Sequence, residues 1–436
     1  MMVYHQLNIY EINYMLDPKY IRDNLEKVKS NTSQRNMNED IVTEWNEIDM
    51  LRNSKIRDLE ELNKQKNDIA QKLQDPKFRT QELIALGKEL RSQIEPIETE
   101  LKIIENDWNN LINQIPNIHA SNVPIGKSDE ENKVVRKVGS IPKFEFEPKD
   151  HLQIGKDLDI LDFDAGSKVS GSQFYYLKND AVRLEYALIQ YGLEFFTKKG
   201  FNLIMTPDVA KSRYYLGTGY APRGDEQQTY EIVDEDLGLI ATSEVTMAGL
   251  YADEVLNITP GHPLKYAAIS HCFRKEAGAY GKYSKGLYRV HQFSKLEMFV
   301  FTTPNESDAI HEQLLALEEE ILQSLEISYQ VILMCSGDTG AMAARKYDLE
   351  AWMPGRNDYG EVTSTSNCTD YQARNLNIKY KKDGKNEFVH MLNGTAIVLS
   401  RIPVAILENF QMEDGRVKIP NVLVPYFGKE FIEKKI

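Results

Sequence analysis

At 436 residues, 42% of them hydrophobic and 27% charged, the chain has the make-up of a globular protein with room for two domains. No apolar run approaches the ~18 residues that span a bilayer, and residues 1–14 lack the basic and apolar regions of a secretory signal, so neither a membrane nor an exported protein is expected. The net charge of -14 does not exclude a nucleic-acid partner, since phosphate contacts need only a local basic strip, while Cys272, Cys335 and Cys368, without C-x-x-C spacing, argue against a disulfide framework or zinc and fit a reducing cytoplasm.

Met15, in MLDPKYIRDN, offers a second start, so the residues before it read as an extension. From about 41 to 115 the sequence predicts two long helices folded back as an antiparallel coiled-coil hairpin. Leu59, Leu62, Lys66, Ile69 and Leu73 alternate steps of three and four, as do Leu90, Ile94, Ile97, Leu101, Ile104, Trp108 and Leu111. Gln74-Asp75-Pro76-Lys77 supplies the reversal, and Pro96 predicts a kink or local opening in the second helix. Arg52, Lys55, Arg57, Lys64, Lys72, Lys77, Arg79, Lys88 and Arg91 lie along the hairpin among carboxylates. The pattern itself fits a solvated spacer or dimerisation element as well as a nucleic-acid arm.

Residues from Asn117 to about His151, rich in Pro, Gly, Ser and charge, read as linker. Beyond it, VRLEYALIQYGLEFFTKKG predicts an amphipathic helix ending at Gly200, and FNLIMTP a strand ending at Pro207. YAAISHCFR and YRVHQFSKLEMFVF predict two strands around a Gly- and Lys-rich loop; HMLNGTAIVLSR predicts a strand and IPVAILENFQ the helix after it, with Pro403 in its first turn. Such a mixture implies an α+β core on an antiparallel sheet. The expected division is 1–130 for the N-terminal domain and 131–436 for the core.

The stretch Phe273-Arg274-Lys275-Glu276-Ala277-Gly278, followed after a loop by Arg289-Val290-His291-Gln292-Phe293-Ser294-Lys295-Leu296-Glu297, can place an Arg and a Glu on one face of a sheet. A fixed guanidinium suits phosphate or carboxylate oxygens. This hairpin closely resembles motif 2 of the class II aminoacyl-tRNA synthetases, in their seryl branch. Ala241-Thr242-Ser243-Glu244 resembles that family's amino-acid-binding stretch. Glu361-Val362-Thr363-Ser364 with Ser366–Arg374 resembles its metal and ATP segment, and Asn393-Gly394-Thr395 with Arg401 its motif 3. The helix before Gly200 and the strand ending at Pro207 resemble motif 1, the dimer element. The resemblance runs over nearly the whole chain.

The resemblance implies a class II antiparallel sheet core behind an N-terminal coiled-coil arm, and a homodimer working in the cytoplasm. It implies an enzyme that joins serine to ATP as seryl-adenylate, with Mg²⁺, and transfers it to serine tRNA, and it leaves selenocysteine tRNA open as a further acceptor. Arg274 would bind the α-phosphate and the serine carboxylate, and Arg401 the γ-phosphate. Phe293 would stack on adenine, Glu276 would accept from its amine, and Lys275, Val290, Val362 and Thr363 would complete the ATP site. Glu361 and Ser364 would hold Mg²⁺ with oxygen ligands. Serine would sit among Thr242, Ser243, Glu244, Arg274, Glu297 and Thr395, where groups paired with its hydroxyl reject alanine. The arm would reach the long variable arm and elbow of the tRNA and aim its acceptor end at the active site.

Motif 3 departs from the bacterial pattern NGSG…GR. Thr395 adds a methyl near the implied serine pocket, and Ala396 and Ser400 stand where glycines are usual. These changes are what would support a paralogue with an altered pocket. Two further alternatives are a carrier-protein ligase derived from this fold and a tRNA-binding protein with a dead core. The arm and the absence of a Cys/His cluster speak against the first, and retention of Arg274, Glu276, Glu361 and Arg401 against the second.

Overall fold

A computed structural model of the chain describes residues 14–220, 229–276 and 286–435. The extension read before Met15, Tyr14 apart, and the loop of motif 2 at 277–285 lie outside the described residues. The chain forms two compact units that part between Ile118 and His119.

The first unit begins with short helices Pro18–Asp23 and Leu25–Gln34 and is dominated by α1 (Asp40–Lys72) and α2 (Gln81–Ile112), packed against each other. The reversal is built from capping side chains. Asp75 accepts from the Lys77 amide at 2.9 Å over a single 3₁₀ turn, Pro76–Phe78, and Thr80 accepts from the Leu83 amide at 3.3 Å to start α2. Ile69, Leu90, Ile94, Ile104 and Trp108 are the buried members of the predicted seam. Helix α2 runs through Pro96 as one element. At the root of the hairpin the carboxylate of Asp49, 1% exposed, accepts four hydrogen bonds. They come from Arg22 Nε and Nη2 at 2.6 and 3.1 Å, Asn53 Nδ2 at 3.0 Å and Trp108 Nε1 at 2.9 Å. The Trp45 and Trp108 rings, 5.7 Å apart, pack beside them. A polar knot thus pins both long helices and the first short one where the apolar seam begins.

The second unit is built on one eight-stranded sheet. Its elements in chain order are β1 (Lys133–Val138), α3 (Asp180–Lys198), β2 (Asn202–Met205), β3 (Leu264–Phe273), β4 (Gln292–Thr302), α4 (Ser307–Ser324), β5 (Tyr329–Leu333), β6 (Arg345–Met353), β7 (Asp358–Asn367), β8 (His390–Val398) and α5 (Ile402–Asn409). The strand order is β1-β5-β6-β7-β8-β4-β3-β2, antiparallel throughout except for the parallel edge pair β2 and β3. Helices α3, α4 and α5 pack on the sheet and bury Leu184, Leu188, Leu314, Ile321, Ile402 and Ile406 in one apolar core. The predicted α+β antiparallel core is therefore present.

One segment departs from the sequence reading. Lys133–Val138, taken as linker, is edge strand β1, paired with β5 and irregular between Val134 and Arg136. Its first five residues are exposed, so it carries no burial alternation to read, and its charges suit an open sheet edge. Arg136 ties it to α4 through an ion pair with Glu319.

Replacing Asp49 with Ala leaves the Trp108 and Asn53 donors without their acceptor and should cost the arm about 2–3 kcal/mol. Denaturant unfolding of the variant measures this, and a change below about 0.5 kcal/mol would remove the knot from the arm's stability.

Candidate active site

Strands β3, β4, β8 and β7 lie side by side; the motif 2, metal-and-ATP and motif 3 segments fall on or at the end of them, while residues 241–244 lead into a short helix beside them. Lys295 and Glu297 share a face of β4 because side chains alternate along a strand. Across the ladder Leu296 faces Ile397, but Glu297 faces Thr395, so Ala396 is bulged. The bulge turns Thr395 toward Glu297, and its hydroxyl donates to Glu297 Oε2 at 3.1 Å. Lys295 Nζ forms an ion pair with the same carboxylate and donates to Thr242 Oγ1 at 2.8 Å. Lys295 and Glu297 are 5% and 2% exposed, so this is a buried pair further bonded to Thr242 and Thr395.

Glu244, 4% exposed, opens the short helix Glu244–Gly249. Its Oε1 accepts from Gln372 Nε2 at 2.7 Å and its Oε2 from the Tyr220 hydroxyl at 2.8 Å. Burial pushes its carboxyl above the usual range, while these two hydrogen bonds and the nearby Lys295 pull it back. Ser243 is fully buried, and its hydroxyl has no partner among the described residues.

Arg274 follows the end of β3. Its amide donates to the His291 carbonyl at 3.0 Å, its Nε donates to the Ala241 carbonyl at 3.3 Å, and its guanidinium lies 5.2 Å from the Phe293 ring centre. The same arginine is thus anchored to the stretch that carries Thr242 and Glu244 and to the ring of Phe293. Glu276, at φ 49°, accepts from Arg289 Nε at 2.6 Å, and Lys275 Nζ lies 5.8 Å from the Tyr230 ring centre.

On β7, Glu361 Oε1 is 2.9 Å from Arg401 Nη1, which also donates to the Glu361 carbonyl at 3.3 Å. Tyr288 donates its hydroxyl to that carbonyl at 3.0 Å, and the Arg401 guanidinium stacks 4.9 Å from the Tyr288 ring centre. Burial opposes the charge on Glu361, but Arg401 and Lys346 outweigh it and hold its carboxyl below the ordinary range. Ser364 faces Asp348 across the β6–β7 ladder. Burial, opposed by Lys346, pushes Asp348 up to about 6; its Oδ1 lies 3.6 Å from Lys346 Nζ and makes no hydrogen bond among the described residues. Glu361 and Ser364, with this under-satisfied carboxylate opposite, make an oxygen-only donor set that suits a hard cation. Among the described residues no group of three or more His, Cys, Asp or Glu side chains is placed to hold a metal.

Three residues read as ATP contacts have side chains committed elsewhere. Val290 and Val362 are buried in apolar clusters, and Thr363 donates to Glu318 Oε2 at 3.0 Å behind the sheet. Only their backbone groups remain for a ligand. Ala396 also packs in the core, which absorbs the methyl that replaces a glycine hydrogen. Gly394 is more closely surrounded: an added Cβ would lie 2.9 Å from Glu318 Oε1 and from Met298 Cε, so the ends of those side chains would have to shift. Lys295, Asp348, Tyr220, Tyr288 and Gln372 were not singled out from the sequence. Lys295 was findable, because the i, i+2 alternation that exposes Glu297 to the site carries Lys295 with it.

A sheet of this order, with an arginine after one strand, its partner strand carrying Phe293 and Glu297, and a second arginine leading a following helix, defines a class II tRNA synthetase core. Residues 229–410 match the model of the tRNA synthetase class II core domain (G, H, P, S and T), and residues 15–119 match the seryl-tRNA synthetase N-terminal domain. A serine–tRNA ligase of Treponema denticola is 51% identical over 420 residues, covering 95% of this chain and 99% of that protein. One from Borreliella afzelii is 50% identical over 427 residues, covering 97% of this chain and all of the relative. The crystal structure of the Pyrococcus horikoshii seryl-tRNA synthetase complexed with ATP aligns at TM-score 0.90 and 38% identity, covering 97% of this chain and 100% of that one. A cytoplasmic serine–tRNA ligase from Naegleria fowleri in complex with AMP aligns at 0.83 and 34%, covering 98% and 99%. The chain belongs to the seryl-tRNA synthetase family.

Behind β7, His311 of α4 is fully buried. Its Nε2 lies 3.1 Å from the Thr365 carbonyl and its Nδ1 3.2 Å from Arg345 Nε, so the ring is neutral with its proton on Nε2. Burial and Arg345 push the imidazole down to about 3. The unfolded chain therefore binds the extra proton first, and folding stability should fall as pH drops from about 6.5 toward 3, by up to ~1.4 kcal/mol per pH unit. A His311→Gln variant should show a shallower decline in that window. Equal slopes in pH-dependent denaturation would contradict the assignment.

Proposed function

We propose that the residues gathered on this face divide serine activation between a phosphate-binding half and an amino-acid pocket. Adenylate formation is in-line attack of the serine carboxylate on the α-phosphate, with pyrophosphate leaving, and it needs charge neutralised and reactants aligned more than it needs a base. Arg274 would meet both reacting groups, since it lies between the Thr242–Glu244 stretch and Phe293. Phe293 would stack on adenine. Arg401 would take the γ-phosphate, and Glu361 with Ser364 would hold Mg²⁺, which when bound neutralises phosphate oxygens. Too few protein ligands stand there for a complete shell, so phosphate oxygens and water would complete it. Lys275, Glu276 and the backbones of Val290, Val362 and Thr363 would line the nucleotide.

In the pocket, Glu244 would accept the substrate ammonium, and Glu297 with Thr395 the hydroxyl, with Thr242 and Ser243 closing the wall. Alanine would leave the Glu297 side of the pocket unpaired, which is how such a site rejects it. The observation that supports this reading is that Glu297 and Glu361 stand on strands of one sheet, with Arg274, Arg401 and the helix-borne Glu244 held at the ends of or beside them. A dead core has no reason to keep them together.

The seryl-adenylate would then pass its serine to the 3′ end of serine tRNA bound through the coiled-coil arm, and selenocysteine tRNA is a second candidate acceptor. Scattered cations along an otherwise acidic chain suit recognition of RNA by shape and backbone. The exposed apolar side chains Tyr186 on α3 and Leu203 and Met205 on β2 favour a second copy of the chain as partner, giving a homodimer. No helix among the described residues is long and apolar enough to cross a membrane, which agrees with the cytoplasmic setting we infer.

Serine-dependent exchange of pyrophosphate into ATP tests the assignment, and Arg274→Ala should lower it by about a thousandfold while the melting temperature holds. Near-normal exchange by the folded variant would remove Arg274 from the reaction. Deleting residues 51–101 should abolish charging of serine tRNA and leave exchange within a few-fold of the intact enzyme. Equal loss of both would end the separation of arm and core.

A further inference from the structure

We propose that Tyr220 and Gln372 form a positioning clamp on Glu244, setting the affinity of the site for the serine ammonium without touching the reacting atoms. The inference rests on Glu244 being the ammonium acceptor. A buried carboxylate in that role must stay ionised and keep one orientation, and burial works against the first requirement. Two donors answer both demands. Tyr220 gives its hydroxyl to Oε2 at 2.8 Å, and Gln372 gives Nε2 to Oε1 at 2.7 Å, so each carboxylate oxygen is held and each keeps acceptor capacity for a ligand.

The clamp is itself fixed. Gln372 sits fully buried on the short helix Tyr371–Asn375, and its Nε2 also donates to the Thr218 carbonyl at 3.1 Å. Two acceptors on one nitrogen set the amide's orientation, because the flipped form would turn its oxygen toward the Glu244 carboxylate and the Thr218 carbonyl. The Gln372 oxygen accordingly has no hydrogen-bond partner among the described residues, a cost tolerated for the sake of the donor. Thr218 ends the helix Ser212–Thr218, and Tyr220 follows it two residues later. Both donors are thus referred to one helix end, and Gly217 there packs close enough that a Cβ would lie 2.3 Å from Leu376 Cδ2, just beyond Gln372's helix. The charged groups that face Glu244 from β4 are Lys295 and Glu297, of opposite effect.

The test is steady-state pyrophosphate exchange by the full-length enzyme, Tyr220→Phe and Gln372→Leu, at pH 8 and pH 6.5, with melting temperatures alongside. Tyr220→Phe should raise the KM for serine about tenfold, with the KM for ATP and the kcat within a few-fold. With the hydroxyl gone the carboxyl takes a proton at higher pH, so the variant's serine KM should climb further at pH 6.5 than that of the native enzyme. Gln372→Leu should act in the same direction; if it fails to fold, Tyr220→Phe alone decides. An unchanged serine KM in folded Tyr220→Phe, or equal losses for serine and ATP, would overturn the clamp. Absence of serine-dependent exchange in the native enzyme would instead remove the role of Glu244, and the clamp with it.

Discussion

The proposed amino-acid pocket depends on a buried ion pair, Lys295 with Glu297, and on the β-bulge that lets Thr395 complete it. Glu297 and Glu244 are carboxylates almost without solvent, and a dry pocket cannot keep two such charges unless a cation and several donors are built in. Lys295 is that cation. It lies two residues from Glu297 on the same strand face, it reaches Thr242, and its field also favours the ionised form of Glu244. Breaking such a pair by removing one partner typically costs about 3–5 kcal/mol. The pocket is therefore preorganised polar surface, which is the kind of wall that distinguishes a hydroxylated substrate from an apolar one of the same size.

The half proposed to bind phosphate follows the same logic with the signs exchanged. Arg401 heads α5, and burial alone would disfavour its charge, but Glu361 and Tyr288 hold it in place as a cation. Asp348, opposite Ser364, keeps one oxygen without a hydrogen bond among the described residues. Arg274 lies between the halves, clasped by backbone at two points and stacked near Phe293. A rigid sheet is the right support for such a site, because neighbouring strands fix the separations that in-line displacement requires. The arm, by contrast, is held by an apolar seam, the polar knot at Asp49 and the inter-helix ion pairs Arg52–Glu105 and Lys55–Glu100.

Much of this was legible in the sequence. The hairpin was readable because a coiled coil repeats its apolar step over many turns, and Asp75-Pro76 marked the reversal. The site segments were readable through the ordered resemblance of short motifs, which no single periodicity would have supplied. What stayed hidden has physical reasons. Strand β1 is an exposed edge, so Lys133–Val138 lacks the alternation that announces a strand. Val290, Val362 and Thr363 sit in motif stretches, yet only coordinates reveal that their side chains face the core or Glu318. Tyr220 and Gln372 are 152 residues apart and meet only on Glu244. Nothing local to Tyr220 marks it as part of a pocket, and the motif stretch that holds Gln372 does not show what its side chain meets.

On the proposed division of the substrate, Glu244 takes the ammonium, Glu297 the hydroxyl, and Arg274 holds the reacting oxygens. A crystal structure with a hydrolysis-resistant analogue of seryl-adenylate tests it most directly. The ammonium is expected within about 3 Å of Glu244, the hydroxyl at Glu297 and Thr395, and the phosphate mimic against Arg274. An analogue bound with its hydroxyl turned away from Glu297, or with its ammonium on another group, would contradict it.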